Sequence, residues 1–199
     1  MRGFWDREEK PYVIALLLTP ILWMIYALFS GRYFPDPGKV LMIDSGVWAC
    51  VFIVAVLCMS PATKYLRLRF LSRYRRIVGL LAFSYALFHL LVYLVLFAGL
   101  SVEWIVSDLL EKPYIYAGVS SLLILIALAI TSTKKMMKRL GKNWKKLHQC
   151  VYIAAACVVA HLWWQVRSDI TIALAVSAFI VPLLLLRIWQ SPTFQKYFK

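Results

Sequence analysis

Several things are scarce in this 199-residue chain, and each scarcity removes a class of function. Asp and Glu number 9 against 23 Lys and Arg. None of the acids stands inside the long uncharged runs, which argues against an ion or proton path built on buried carboxylates. The 4 cysteines, Cys50, Cys58, Cys150 and Cys157, form no CxxC and no CxxCH. They read as small packing residues, so a disulfide framework or a group attached through CxxCH is unsupported. Neither GxGxxG nor a Walker motif occurs, and a nucleotide has no dedicated domain here. Histidine is scarce too, with His89, His148 and His161 the full set.

What is abundant is hydrocarbon. Hydrophobic residues make up 62% of the chain and mean hydropathy is +0.74, well above a soluble domain. Uncharged runs cover Tyr12–Ser30, Ser45–Thr63, Ile77–Val102, Pro113–Thr133, Leu147–Val166 and Ile170–Leu186, each near the ~20 residues that cross a bilayer. The expected fold is an all-α membrane protein, a six-helix transmembrane bundle forming a single domain over residues 1–199. Its first run has no small-residue cleavage site after it and reads as a retained anchor. Helix 2 is expected to end at Ser60–Pro61, and no internal repeat is evident.

Charge sets the expected orientation. The N-terminus, the Lys64–Arg76 loop, the Lys134–Lys146 loop and the C-terminal tail hold 19 of the 23 cations, while 6 of the 9 acids fall in the alternate loops. This is the positive-inside pattern, with both termini cytoplasmic. The formal charge of +14 thus reports topology, and no nucleic-acid motif accompanies it. In KYLRLRFLSRYRR, Tyr65, Leu66, Leu68, Phe70 and Leu71 interleave with the cations; most of these arginines read as a topology anchor, and an amphipathic piece along the lipid headgroups is the alternative.

An ionisable, metal-competent side chain inside a membrane-length run is a functional-site hypothesis. His89 stands 12 residues beyond Ile77 and His161 stands 14 beyond Leu147, or about 18 and 21 Å along helices at 1.5 Å per residue. The two share one level near the outer leaflet. Two imidazoles on separate helices at one depth suit a heme iron held from both faces, an arrangement favouring electron transfer; the alternative is a pair of hydrogen-bonded core histidines. His148 lies 13 residues before His161, about 20 Å lower and turned about 140° away on an ideal helix. Facing the same interior therefore requires a local distortion. At its level on helix 3 the chain offers Arg75 and Arg76.

The stretches RYRRIVGLLAFSYALFHLLVYL, PYIYAGV and ITSTKKMMKRLGKNWKKLHQCVYIAAACVVAHLWW resemble the MsrQ (YedZ) family, heme-binding membrane subunits of the bacterial periplasmic methionine sulfoxide reductase system. That family is similar in turn to ferric reductase transmembrane domains, and the likeness covers a core of about residues 45–166. The resemblance implies that His89 and His161 are axial ligands of a b-type heme on the periplasmic side. It also implies that His148 belongs to a second heme or cofactor site. The position 14 before His89, a ligand in oxidase relatives, is Arg75 here; a guanidinium is a poor metal ligand and suits a propionate or a flavin phosphate. Arg73, Arg76, Lys145 and Lys146 are candidates for the same phosphate, against lipid headgroups.

Further implications of the resemblance are a multi-pass protein of the bacterial inner membrane and an electron-transfer subunit with no substrate-reducing centre of its own. Electrons would enter from a cytoplasmic flavin reductase through FMN, or from quinol in the quinone pool. They would leave to a periplasmic, molybdopterin-containing methionine sulfoxide reductase engaged in protein repair. Alternatives are a stand-alone ferric reductase or quinol-linked cytochrome b and, from another class, a small transporter or assembly factor.

Overall fold

The computed structural model describes residues 5–166 and 169–190, and the regular structure among them is entirely helical. The chain termini and Arg167, used above in counting charge, lie outside the described residues. Helix α1 spans Trp5–Phe29, α2 Pro37–Tyr65 and α3 Leu71–Val92, the last running into one π-helical turn at Tyr93–Phe97. Then come α4 (Val102–Glu111), α5 (Tyr114–Ile130), the short α6 (Lys134–Leu140) and α7 (Lys142–His148), α8 (Val151–Gln165) and α9 (Thr171–Trp189).

Local chemistry explains several boundaries. Asp36 accepts a hydrogen bond from the Lys39 N–H at 2.9 Å and Pro37 takes the first turn, as a helix start prefers. Ser101 and Thr133 cap α4 and α6 in the same way. Gly141 separates α6 from α7 with φ of 51° and ψ of −122°, a conformation that side-chain-bearing residues avoid.

Among the described residues four helices are long and apolar enough to cross a membrane: Pro37–Tyr65, Leu71–Phe97, Lys142–Gln165 and Thr171–Trp189. A fifth crossing is available if α4 and α5, bent by 109°, are one broken span. The described apolar part of α1, Ile14–Phe29, is shorter. Large apolar side chains face outward along these helices, among them Leu16, Trp23, Leu123, Phe179 and Leu185, as contact with lipid requires.

Two expectations need correction. Helix α2 passes through Pro61 to Tyr65: the proline's missing N–H costs the Leu57 carbonyl its helical donor, a loss that a membrane helix tolerates without ending. Residues 66–70 then turn tightly, with Arg67 at φ of 56° and the Leu68 N–H reaching back to Ala62. The outer segment 102–111, expected as loop, is α4.

Helix α2 packs along α3 and α5 along α8, α3 meets α5 between the two pairs, and α9 closes against α8 and α2. Where α5 crosses α8 the backbones approach closely: Ala154 and Ala155 are fully buried, and the Ser121 hydroxyl donates to the Ala154 carbonyl at 3.1 Å. Small residues permit that approach in lipid. The core is centred on Ile53, Met24 and Ile180.

Candidate functional site

Each helix pair carries one inward histidine, and the partner helix holds it. His89 on α3 places its Nδ1 2.9 Å from the Met42 carbonyl of α2. His161 on α8 places its Nδ1 2.8 Å from the Tyr114 carbonyl at the start of α5. A carbonyl only accepts, so both Nδ1 atoms carry the proton and both Nε2 atoms keep a lone pair. The ring centroids stand 6.4 Å apart with planes at 90°.

Glycine makes room on both sides. A Cβ at Gly46 would lie 3.0 Å from the His89 ring, and one at Gly118 would lie 2.9 Å from His161 Nδ1. These contacts disclose a repeat that was not evident in the sequence: Met42, Gly46 and His89 lie 72 residues before Tyr114, Gly118 and His161 respectively. What repeats is a backbone carbonyl and a clearance, while the residue supplying the carbonyl differs, Met42 in one half and Tyr114 in the other.

Among the described residues no group of three or more His, Cys, Asp or Glu is placed to hold a metal ion. A bare ion between the rings would therefore have two protein ligands, too few for a first-row metal. A macrocycle that brings four equatorial nitrogens needs only those two. Metal–imidazole bonds of about 2.0–2.1 Å, plus about 1.1 Å from each nitrogen to its ring centre, give a centroid separation of about 6.3 Å. The observed 6.4 Å between ring centroids is close to that separation.

Polar groups cluster near this level. The Tyr93 hydroxyl donates to Asp108 at 2.9 Å and the Lys112 ammonium to the other Asp108 oxygen at 2.6 Å. Tyr33, buried in the turn before α2, donates to Asp44 at 2.6 Å; burial, reinforced by that carboxylate, pushes its phenol above the ordinary tyrosine range.

A cavity of about 520 Å³ opens at the other, basic end, lined by Arg75, Arg76, Lys145, His148, Trp144 and Arg187 among others. His89 and His161 do not line it. Arg73 lies over the Tyr74 ring at 5.6 Å, and neither Arg73 nor Lys146 lines this cavity. Arg187 does, reaching in from α9 over the Tyr152 ring at 5.3 Å. It was grouped above with the tail; a lone cation in the apolar stretch PLLLLRIW was its signal.

His148 is turned into this cavity by the distortion that helical phase demanded. The chain breaks between α7 and α8, where Gln149, Cys150 and Tyr152 N–H groups each bond three residues back. The His148 ring stacks on Trp144 at 4.1 Å, and the Trp144 indole N–H donates to the Thr131 carbonyl at 3.0 Å. Thr131 gives its own proton to the Ala127 carbonyl, so its oxygen accepts from His148 Nε2 at 3.2 Å. That leaves Nδ1 as the basic nitrogen of His148, the reverse of the outer pair.

Residues 45–159 match the family described as "ferric reductase like transmembrane component". A protein of Brucella anthropi is 39% identical over 154 residues, covering 77% of this chain and 70% of its own length. One of Brucella ovis is 37% identical over 170 residues, covering 85% and 77%. Both carry the name protein-methionine-sulfoxide reductase heme-binding subunit MsrQ. The chain belongs to the MsrQ family. The ferric reductase-like match takes in α3, α5 and most of α8, with His89 and His148 inside it and His161 two residues past its end. MsrQ relatives are thus similar to this chain across the helices that build both the facing histidines and the basic cavity.

Proposed function

We propose that this protein is the heme-binding electron-transfer subunit of a methionine sulfoxide reductase system in the bacterial inner membrane. The observation that carries the proposal is the pair of imidazoles, each fixed through Nδ1 to a carbonyl of the neighbouring helix, with ring centres 6.4 Å apart. In this reading His89 and His161 would hold a b-type heme through their Nε2 atoms. The heme, when bound, supplies a one-electron ferric–ferrous couple. The Met42 and Tyr114 carbonyls fix the tautomer and raise the basicity of each ligand. Two strong protein ligands leave no open position, which suits electron passage over substrate binding.

The basic cavity takes a planar, anionic redox group in the same reading. Arg75, Arg76, Lys145 and Arg187 supply charge for a phosphate or propionate, and Trp144 with His148 supplies a stacked face. FMN fits that description, as does a second heme beside His148; a quinone would use the stack without the cations. The chain crosses the membrane six times with both termini cytoplasmic, on the positive-inside distribution. Electrons then run from a cytoplasmic flavin reductase or quinol, through the basic cavity, to the histidine pair and out to a periplasmic molybdopterin-containing reductase that repairs methionine sulfoxide. The subunit itself carries no substrate-reducing centre. A stand-alone ferric reductase or quinol-linked cytochrome b is the competing reading.

The test is optical. Detergent-purified protein should show a dithionite-reduced spectrum of six-coordinate low-spin heme b, and His89→Ala or His161→Ala should each lose that component while the helical fold is kept. Full heme retention in both variants would refute the ligand assignment, and a colourless wild type would end the redox proposal. Reduced protein that is reoxidised by ferric chelates but not by the purified reductase would favour the competing reading.

A further inference from the structure

The two histidine clamps match in carbonyl, glycine and spacing but differ at the residue before each glycine, which is Ser45 in the first half and Ala117 in the second. Ser45 is fully buried at 0% exposure, with its hydroxyl 2.9 Å from the Met42 carbonyl and 3.3 Å from His89 Nδ1. Since Nδ1 already carries a proton committed to that carbonyl, the hydroxyl has no acceptor on the ring and donates to Met42. The contact to Nδ1 at 3.3 Å is longer than a good N–H···O bond. One carbonyl therefore serves both His89 and Ser45, whereas Ala117 has no hydroxyl to offer Tyr114.

We propose that Ser45 is a positioning residue that makes His89 a less basic ligand than His161 and thereby sets the ferric–ferrous balance of the site. An Nδ1–H bond to a carbonyl moves electron density onto Nε2 and favours the ferric state. A second donor on the same carbonyl draws part of that density away. The hydroxyl thus shifts the couple toward the ferrous state without touching the metal. The inference rests on the heme reading of the histidine pair, but its test separates the two.

The experiment is a spectroelectrochemical titration of the heme-loaded, full-length protein, comparing wild type with Ser45→Ala and Ala117→Ser. At one fixed ambient potential, Ser45→Ala should raise the ferric-to-ferrous ratio about two- to fivefold, as expected for a change within one hydrogen bond, or about 18–41 mV at 59 mV per tenfold. Ala117→Ser, which places a hydroxyl three residues after Tyr114 in the same helix geometry, should move the ratio the other way. Low-spin absorption bands and heme content should stay as in wild type in both. An unchanged or lowered ratio in Ser45→Ala, or a shift of the same sign in both variants, overturns the inference while leaving the ligand pair intact. Should Ser45→Ala fail to fold, Ala117→Ser at its half-buried position decides alone: a raised or unchanged ratio overturns the inference. A wild type without low-spin heme brings down both proposals.

Discussion

Gly118→Ala is the smallest change that should uncouple cofactor binding from folding. Gly118 lies inside α5, where alanine gains about 0.5–1 kcal/mol in helix propensity. Against that gain, the new Cβ would sit 2.9 Å from His161 Nδ1 and 3.0 Å from Cε1, roughly half an ångström inside ordinary van der Waals contact. Overpacking of this kind costs about 1–3 kcal/mol. The net effect on the helical bundle is about 0–2.5 kcal/mol of destabilisation, small enough for the variant to fold. The ring cannot absorb the clash freely, since Nδ1 is bonded to the Tyr114 carbonyl at 2.8 Å. It must move off its axis with His89 by about the 0.5 Å that a functional constellation tolerates. Heme-to-protein ratio and the reduced-minus-oxidised spectrum, set beside thermal unfolding by circular dichroism, make the assay. The expected result is a severalfold loss of low-spin heme with a small fall in unfolding temperature. A variant with full heme, unchanged bands and unchanged unfolding would refute the claim that this glycine is required by the imidazole.

Two further predictions concern the basic end. Trp144→Phe keeps an aromatic face for His148 but removes the 3.0 Å bond to the Thr131 carbonyl; a loss of about 0.5–1.5 kcal/mol should appear in thermal unfolding, with the low-spin signal of the outer pair unchanged. Arg187→Gln removes one cation from the cavity lining and its place over Tyr152, so binding of FMN followed by fluorescence quenching should weaken severalfold, whereas riboflavin, which lacks the phosphate, should bind equally to both forms.

Periodicity and helical arithmetic reach some of this arrangement. Counting residues from the charged ends put His89 and His161 at one level, and the same count put His148 far below and out of phase with His161. The break at Gln149–Cys150 is the physical answer to that phase problem. Arithmetic along one helix says nothing of the neighbouring helix, and so Met42, Ser45, Gly46 and the Tyr114 carbonyl went unnoticed. Backbone carbonyls and glycines carry no side-chain signature of a role. The 72-residue correspondence was hidden for the same reason, because what repeats is clearance and a carbonyl more than residue type. Pro61 misled in the other direction: a membrane helix can run through a proline, because losing one backbone bond does not end it.

By itself the amino-acid order determined that the chain is helical and lives in a membrane, because long uncharged runs leave the backbone no partner but itself. It also determined which ionisable groups lie deep within those runs, since depth is a count of residues. Only the packing of α2 on α3 and α5 on α8 decided which nitrogen of each imidazole is free, how far apart the rings stand, and that Arg187 joins Arg75 and Arg76 in one cavity. Those are distances between segments remote in the chain, and they are set by how small residues allow helices to approach.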